Sequence, residues 1–288
     1  MSYAFFPGCS LEGTAWDFLK STKAVAKKLG IKMPEIPDWI CCGSTPAHQT
    51  DPLLSLALPA KNLLAAEGKT VAVCCAACYS RLKTANHEIS ADQLTRKRVA
   101  DVLGADYDGQ TRVAHFLEIL VNDYGVGKIA EAVTQPLKGM KVVSYYGCLL
   151  SRPPGVTQFD DPENPMLMDR VLKAAGAEML DWPHKTECCG AGYGITDVSI
   201  VKQLSREILG MAKAAGADAI ATACPLCQLN LDMRQGAIEQ ASGEHYDLPV
   251  FYFTQLLGLA LGIERKSLGL KSMIVNPKEL LDARGIGV

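Results

Sequence analysis

The sequence lacks a charge excess of either sign. Its 288 residues carry 29 Lys and Arg against 31 Asp and Glu, a formal net charge of −2. With no basic surplus to displace the counterions of a phosphate backbone, nucleic acid is not an expected partner. A long apolar run is also missing. The most apolar stretch, residues 248–263, is interrupted by Thr254 and Gln255 and reads as a core strand and helix, so no direct membrane span is expected. The opening MSYAFFPGCS has no basic segment and too short an apolar one for a secretory leader, and the expectation is a cytoplasmic protein. The 25 Gly and 15 Pro follow no period, and 48% of the residues are hydrophobic, which excludes collagen-like, low-complexity and disordered chains. What remains is a globular chain, long enough for one large domain or two of about 140 residues.

Against these absences stand eleven cysteines. In a chain without a secretory leader, thiols at this density bind metal or do redox chemistry more often than they form structural disulfides. Two pairs are vicinal and followed by glycine, Cys41-Cys42-Gly43 and Cys188-Cys189-Gly190. Adjacent cysteines rarely bridge each other, because disulfide geometry does not fit a trans dipeptide, but both can bind one polynuclear centre.

The cysteines fall into two sets in the same order: Cys9, Cys41-Cys42, Cys75-x-x-Cys78, then Cys148, Cys188-Cys189, Cys224-x-x-Cys227. Cys74 is left over. The flanks repeat as well. Residues 3–9 match 142–148, an apolar strand ending in Gly-Cys; residues 28–33 match 174–179, a helix end, Gly stop and next strand. Residues 70–73 match 219–222 ahead of each CxxC, and 113–120 echo 250–257. Four landmarks in order indicate an internal duplication with its seam near residues 135–139, too long a period for a solenoid. The expected organisation is a first domain over 1–137, a second over 138–263, and a tail over 264–288.

Each half reads as strand, helix, strand, helix, strand, helix. In the first, Trp16, Leu19, Val25 and Leu29 lie near one helical face, stopped by Gly30; a second helix runs over 57–67 to Gly68, and a strand follows over 70–73. The fold class is therefore α/β, two pseudo-symmetric halves, each a small parallel-rich sheet with flanking helices. The cysteines fall where strands end and helices begin, the place where open α/β sheets put their ligands and where helix N-terminal amides meet an anionic group.

Three chemistries fit such thiols. Zinc takes four ligands and leaves one of five cysteines spare in each half. A dithiol redox pair uses only the CxxC. An iron–sulfur centre uses thiolates, and a vicinal pair can serve two irons of one cluster, although the cubane run C-x-x-C-x-x-C-x-x-x-C-P is absent.

The doubled pattern Cys…Cys-Cys-Gly…Cys-x-x-Cys resembles the cysteine-rich CCG domain found in the B subunits of heterodisulfide reductases. FFPGCS at 5–10, CCGSTPAH at 41–48, CAACYSRL at 75–82, YYGCL at 145–149, ECCGAG at 187–192 and CPLCQLN at 224–230 carry the likeness. It extends over both halves, roughly residues 1–263, and is nearest to the stand-alone B subunit, since fused forms add a cubane segment. The resemblance implies a noncubane [4Fe-4S] cluster in each half. Its ligands would be Cys9, Cys41, Cys42, Cys75 and Cys78 in one and Cys148, Cys188, Cys189, Cys224 and Cys227 in the other, the same ten cysteines carrying the catalysis. It implies a disulfide entering between the clusters and leaving as two thiols, or the reverse. Electrons would come from an iron–sulfur partner resembling the heterodisulfide reductase C subunit, joined to a flavin-bearing A subunit; no flavin is expected in this chain. Some relatives are suspected of holding zinc in one half. Cys74 could replace Cys75 as a ligand. The Cys-Cys-Gly of the first half, where methanogen enzymes often have Cys-Cys-Pro, and the loop 151–165 resemble bacterial forms, so the reaction type carries over better than the substrate. A second reading is a non-catalytic CCG electron-transfer subunit of a quinone- or lactate-linked oxidoreductase.

Other residues carry weaker signals. His48 and His184 lie close enough in sequence to Cys42 and Cys188 to donate a proton to a departing thiolate, or are simply loop histidines. Arg81 and Arg152 each follow a cysteine within four residues; they could hold an acidic substrate group or neutralise thiolate charge. Residues 190–194, Gly-Ala-Gly-Tyr-Gly, lack the G-x-G-x-x-G spacing and read as close backbone packing. The segment 96–103 with Lys97 and Arg98 reads as a solvated helix, and Trp16, Trp39 and Trp182 as core or rim packing.

Overall fold

The computed structural model describes residues 1–44 and 46–286. The first half runs β1 (Ala4–Phe6), α1 (Gly8–Glu12), α2 (Trp16–Lys28), α3 (Pro46–Thr50), α4 (Pro52–Leu64), β2 (Val71–Val73), α5 (Ala76–Ala91), α6 (Gln93–Leu103), β3 (Val113–His115), α7 (Phe116–Glu118), a π-helical turn over Ile119–Gly125, and α8 (Val126–Ala132). The second runs β4 (Lys141–Tyr145), α9 (Pro154–Thr157), α10 (Leu167–Ala174), β5 (Glu178–Met179), α11 (Val198–Ala214), β6 (Ala219–Thr222), α12 (Pro225–Gln228), a π-helical turn over Leu229–Met233, α13 (Gln235–Ser242), β7 (Val250–Tyr252) and α14 (Phe253–Ala260). A last helix, α15 (Lys278–Ala283), lies in the tail.

Every strand pairing is parallel. One sheet has the order β1-β2-β3 and the other β5-β4-β6-β7. In the first, parallel bridges from Ser2 to Lys32 and from Phe5 to Glu35 stand where the second has β5, so both halves share one strand order. The α/β class and the repeat of residues 28–33 at 174–179 are borne out. β1, β2, β3, β6 and β7 are buried throughout, as sheets covered by crossover helices require.

Local chemistry sets the helix ends. The Asp51 carboxylate accepts from the backbone N–H of Leu53 and Leu54 with Pro52 at the first helical position, so α4 starts five residues earlier than the periodicity over 57–67 suggested and ends at Leu64. Asp92 caps α6 in the same way, Gly104 ends it in the left-handed region, and Lys97 pairs with Asp101 on its exposed face.

α2 departs from the expected face. Its buried residues include Phe18, Ser21, Thr22 and Val25, while Trp16 is 46% exposed beneath the Lys20 ammonium, 5.5 Å from the ring centre. The reason is polar. Ser21 Oγ and Thr254 Oγ1 share a hydrogen bond of 2.7 Å, and Thr22 Oγ1 reaches Cys74 Sγ at 3.7 Å, so two hydroxyls occupy the core face that apolar periodicity assigned elsewhere. Trp182 is buried, its Nε1 donating to Ser144 O at 2.9 Å, and Trp39 packs edge-on to Phe6.

The halves exchange helices. α2 of the first packs on α14 of the second, with the Phe18 and Tyr252 rings stacked 4.1 Å apart; α10 of the second packs on α7, the adjoining π-helical turn and α8 of the first. Tyr79 on α5 donates to Thr157 O on α9 at 2.9 Å. The result is a single apolar core running through both sheets. The tail caps it: Ser272 Oγ donates to Asp17, Ile274 and Val275 N–H donate to Asp232, and Arg284 reaches Gly139 O and Asp218. Burial holds both Asp17 and Asp232 above the ordinary carboxylate pKa. Among the described residues no helix is long and apolar enough to cross a membrane.

Candidate thiol site

Each half brings its five sequence-paired cysteines together in the same way. After β1, Gly8 takes φ +70° and turns the chain into Cys9; after β4, Gly147 does so at +67° ahead of Cys148. A Cβ on Gly8 would stand 2.8 Å from Cys78 Sγ, and one on Gly147 3.0 Å from Cys227 Sγ, so only glycine lets backbone and thiol approach this closely. Cys75 and Cys224 follow β2 and β6 and cap α5 and α12. The vicinal pairs arrive from the loops after the Phe5–Glu35 bridge and after β5. Gly190, at φ +76°, brings the second pair close to α11, a Cβ there lying 3.1 Å from Val201 Cα, whereas Gly192 has nothing within 4 Å and Tyr193 is exposed, so the close packing expected of 190–194 is found at Gly190.

The thiols form a track. Cys41 Sγ lies 3.7 Å from Cys9 Sγ, Cys42 Sγ 3.4 Å from Cys78 Sγ, and Cys189 Sγ 3.6 Å from Cys227 Sγ. Cys148 hydrogen-bonds Cys188, and Cys75 hydrogen-bonds Cys224 across the boundary between the halves. Four of these thiols, Cys42, Cys188, Cys189 and Cys224, are pushed toward thiolate by their neighbours. Bonds from Cys41 and Cys78 hold the Cys42 thiol down to about 3, and a bond from Cys148 holds Cys188 at about 6. Cys189 and Cys224 are lowered chiefly by Cys227, and Cys224 also by Cys75 and by the backbone N–H groups of Cys227 and Leu226. Cys75, Cys78, Cys148 and Cys227 are correspondingly raised. Cys9, Cys41 and Cys188 are exposed and Cys148 half-buried; the other track thiols are buried.

Among the described residues no three His, Cys, Asp or Glu side chains gather as the corner set of a single metal ion. The donors are five thiols per half, in pairwise sulfur contacts, with Cys75 and Cys224 met by helix N-terminal amides. That set fits a polynuclear thiolate-ligated centre better than a four-ligand ion.

Cys74 stands apart. Its wholly buried thiol faces Thr22, and burial raises its pKa to about 12. Arg81 is half-buried on α5, and its charge favours the Cys42 thiolate. Arg152 lies with Cys148, Leu149 and Pro162 along an open cleft of about 500 Å³, but its guanidinium is paired with Glu163 at 2.7 Å and bonded to Thr186. His48 is exposed on α3. His184 stacks on Trp182 and opens onto a cleft shared with Gln203, Arg206 and Glu244, where no cysteine is present.

Four residues of the site escaped sequence reasoning. His115 is fully buried at the end of β3; its Nε2–H donates to Cys74 O at 2.7 Å, and Nδ1 accepts from Leu117 N. Burial lowers its pKa to about 4. The repeat of 113–120 at 250–257 was the available signal, for it puts His115 and Tyr252 at matched strand ends. Lys185 forms a buried ion pair with Asp169 at 3.2 Å, and its carbonyl accepts from Tyr146 and Gly147 N–H, fixing the turn into Cys148. Asn230 donates to Cys189 Sγ at 3.5 Å and Cys189 O at 3.2 Å, and is itself held by Arg234. Nothing in the local sequence marks the last three.

The CCG cysteine-rich domain family matches residues 3–83 and 142–232, one copy in each half. An 8-methylmenaquinol:fumarate reductase membrane anchor subunit from Wolinella succinogenes is 33% identical, over 96% of this chain and 98% of that protein. The B subunit of a ferredoxin:CoB-CoM heterodisulfide reductase from Methanosarcina mazei is 32% identical, over 96% and 95%. The fold is shared with the crystal structure of a hypothetical protein from Helicobacter pylori at a TM-score of 0.76 and 13% identity, over 96% of this chain and about half (52%) of that one. The chain belongs to the family of duplicated CCG cysteine-rich proteins that includes the heterodisulfide reductase B subunits.

Proposed function

We propose that the ten track cysteines ligate two noncubane [4Fe-4S] clusters, one per half, and that the chain is the subunit of a reductase complex in which a disulfide is cleaved to two thiols, or formed from them. The observation that carries this reading is the run of thiol contacts from Cys9 to Cys189, with the Cys148–Cys188 pair beside it, joined between the halves by the Cys75–Cys224 hydrogen bond. Such clusters supply one-electron steps and iron sites for thiolate sulfur. The chain's own residues do the rest. Gly8 and Gly147 press the Gly-Cys turns onto the CxxC thiols, the N-termini of α5 and α12 stabilise thiolate charge, and the buried core behind Cys75 and Cys224 keeps water from their contact. Arg152, in the open cleft at Cys148, is neutralised by its pair with Glu163. Electrons then come from a cytoplasmic iron–sulfur partner like the heterodisulfide reductase C subunit and a flavin protein like its A subunit, since the track contains only thiols.

A second reading keeps the clusters but ends the electron path at a quinol-linked partner. The full-length likeness to a protein named as the membrane anchor subunit of a menaquinol-linked fumarate reductase favours it. Iron, sulfide and zinc analysis with EPR on anaerobically purified protein tests both. About eight irons per chain supports two clusters; about four irons with one zinc removes a mechanism that needs both, and zinc alone removes the redox function. With eight irons, reduction of small disulfides by the chemically reduced protein separates the first reading from the second.

A further inference from the structure

The duplication allows the two thiol sets to be compared position by position, and their charges differ. In each half the residue three places after the last cysteine bears on the second cysteine of the vicinal pair. In the second half this is Asn230, a neutral amide bonded to Cys189 Sγ at 3.5 Å, with Arg234 held behind it on Oδ1 at 3.1 Å. In the first half it is Arg81, one helical turn beyond Cys78 on the same face of α5, where Cys78 Sγ meets Cys42 Sγ at 3.4 Å. The residue before each vicinal pair differs too: Ile40 in the first half, Glu187 in the second, whose carboxylate disfavours the Cys188 thiolate. Two further cations of the second half are taken up by carboxylates, Lys185 by Asp169 and Arg152 by Glu163.

We infer that the two halves hold their electrons unequally, the first-half set being the acceptor of higher potential, so that electrons pass from the second half to the first. A thiolate-bound centre gains negative charge on reduction. A full cation at its ligands stabilises that charge more than an amide dipole does, and a neighbouring carboxylate opposes it. Each electron given up by the iron–sulfur partner thus enters at the Cys188–Cys189 side and crosses at Cys75–Cys224. Two such electrons with two protons from solvent convert one S–S bond into two S–H groups. The inference rests on the proposed function, in that both halves must carry an iron–sulfur centre.

The test is an EPR-monitored redox titration of the loaded full-length chain and of Arg81→Gln, Arg81→Lys and Glu187→Gln, with iron content measured on each sample. Two separate midpoints are expected in the parent. Arg81→Gln lowers only the higher one, by about threefold to tenfold in the reduction equilibrium, tenfold being about 59 mV for one electron. Arg81→Lys keeps the parent value. Glu187→Gln raises only the lower one, by nearer threefold because the carboxylate is exposed and screened. Equal midpoints in the parent, or an Arg81→Gln shift in the lower one, overturn the ordering. If Arg81→Gln loses iron, the exposed Glu187→Gln decides alone, and an unmoved lower midpoint overturns it. A parent chain that binds no iron–sulfur centre instead overturns the function beneath it, an outcome the iron content separates from the others.

Discussion

His115 makes the protein sensitive to mild acid, and the size of the effect follows from its surroundings. The imidazole is fully buried, with Nε2–H donating to Cys74 O and Nδ1 accepting from Leu117 N, so both nitrogens are satisfied in the neutral form. Burial lowers its pKa to about 4, against about 6.5 in an unfolded chain. Between those values the unfolded state binds the extra proton, so stability falls as pH falls, beginning near pH 6.5 and complete only below 4. At about 1.4 kcal/mol per unit the full loss is about 3 kcal/mol, of which about 2 kcal/mol is spent between pH 7.5 and 5. Buried carboxylates act the other way. Asp17, Glu118 and Asp232 are all raised by burial, so they bind protons more readily folded than unfolded and gain stability as pH falls. The pH profile of the parent alone therefore mixes both signs. The difference between the parent and His115→Gln removes the carboxylate terms and isolates the histidine. Anaerobic urea unfolding followed by tryptophan fluorescence at pH 7.5, 6 and 5 is expected to show the gap between the two proteins narrowing by about 2 kcal/mol as pH falls. A gap that stays constant would refute the buried neutral imidazole.

Lys185→Met leaves Asp169 charged and buried with only the Tyr146 hydroxyl as partner, and should cost about 3–5 kcal/mol in the same unfolding assay, most of it recovered by adding Asp169→Leu. Gly8→Ala forces Cys78 Sγ out of its contact with Cys42, so iron content should fall by the share of one half. Gly30→Ala, equally left-handed but with nothing within 4 Å of its Cβ, should cost about 1 kcal/mol and leave metal content unchanged. Cys74→Ala should retain full iron, because its thiol faces Thr22, whereas Cys75→Ala should lose the first-half centre; iron analysis decides both.

The duplication was legible because its signal is positional. Gly-Cys, Cys-Cys-Gly and CxxC recur at strand ends whatever the intervening helices do, and strand ends are where side chains from distant segments converge. The face of α2 was not legible, because its contacts belong to the other half: Ser21 and Thr22 are polar in sequence yet point inward to Thr254 and Cys74, partners that only the tertiary arrangement supplies. The start of α4 was local chemistry overlooked, an Asp-Pro cap ahead of the apolar run. The ion pair of Lys185 and the amide of Asn230 depend on backbone turns that no periodicity encodes. The tail, without a counterpart in the first half, is held by carboxylates at Asp17 and Asp232, whose partners, Ser272 and the N–H groups of Ile274 and Val275, only the tertiary arrangement supplies.

The third strand of each half explains why the two thiol sets meet where they do. β1 and β2, like β4 and β6, run into cysteines; β3 and β7 run instead into His115 and Tyr252. His115 covers the Cys74 carbonyl and lies beside Ala223 and Cys224, while Tyr252 lies within the field of both Cys75 and Cys224 and is stacked on Phe18. Burial keeps each uncharged, the imidazole by lowering its pKa and the phenol by raising it well above the usual value. The Cys75–Cys224 contact is therefore walled by neutral, desolvated rings, and the charges that distinguish the halves, Arg81 and Glu187, lie at the vicinal pairs. A charged residue at either strand end would add its field to both sets at once. Neutral ones leave each half to be set by its own neighbours, which is what a directed transfer between two otherwise similar sites requires.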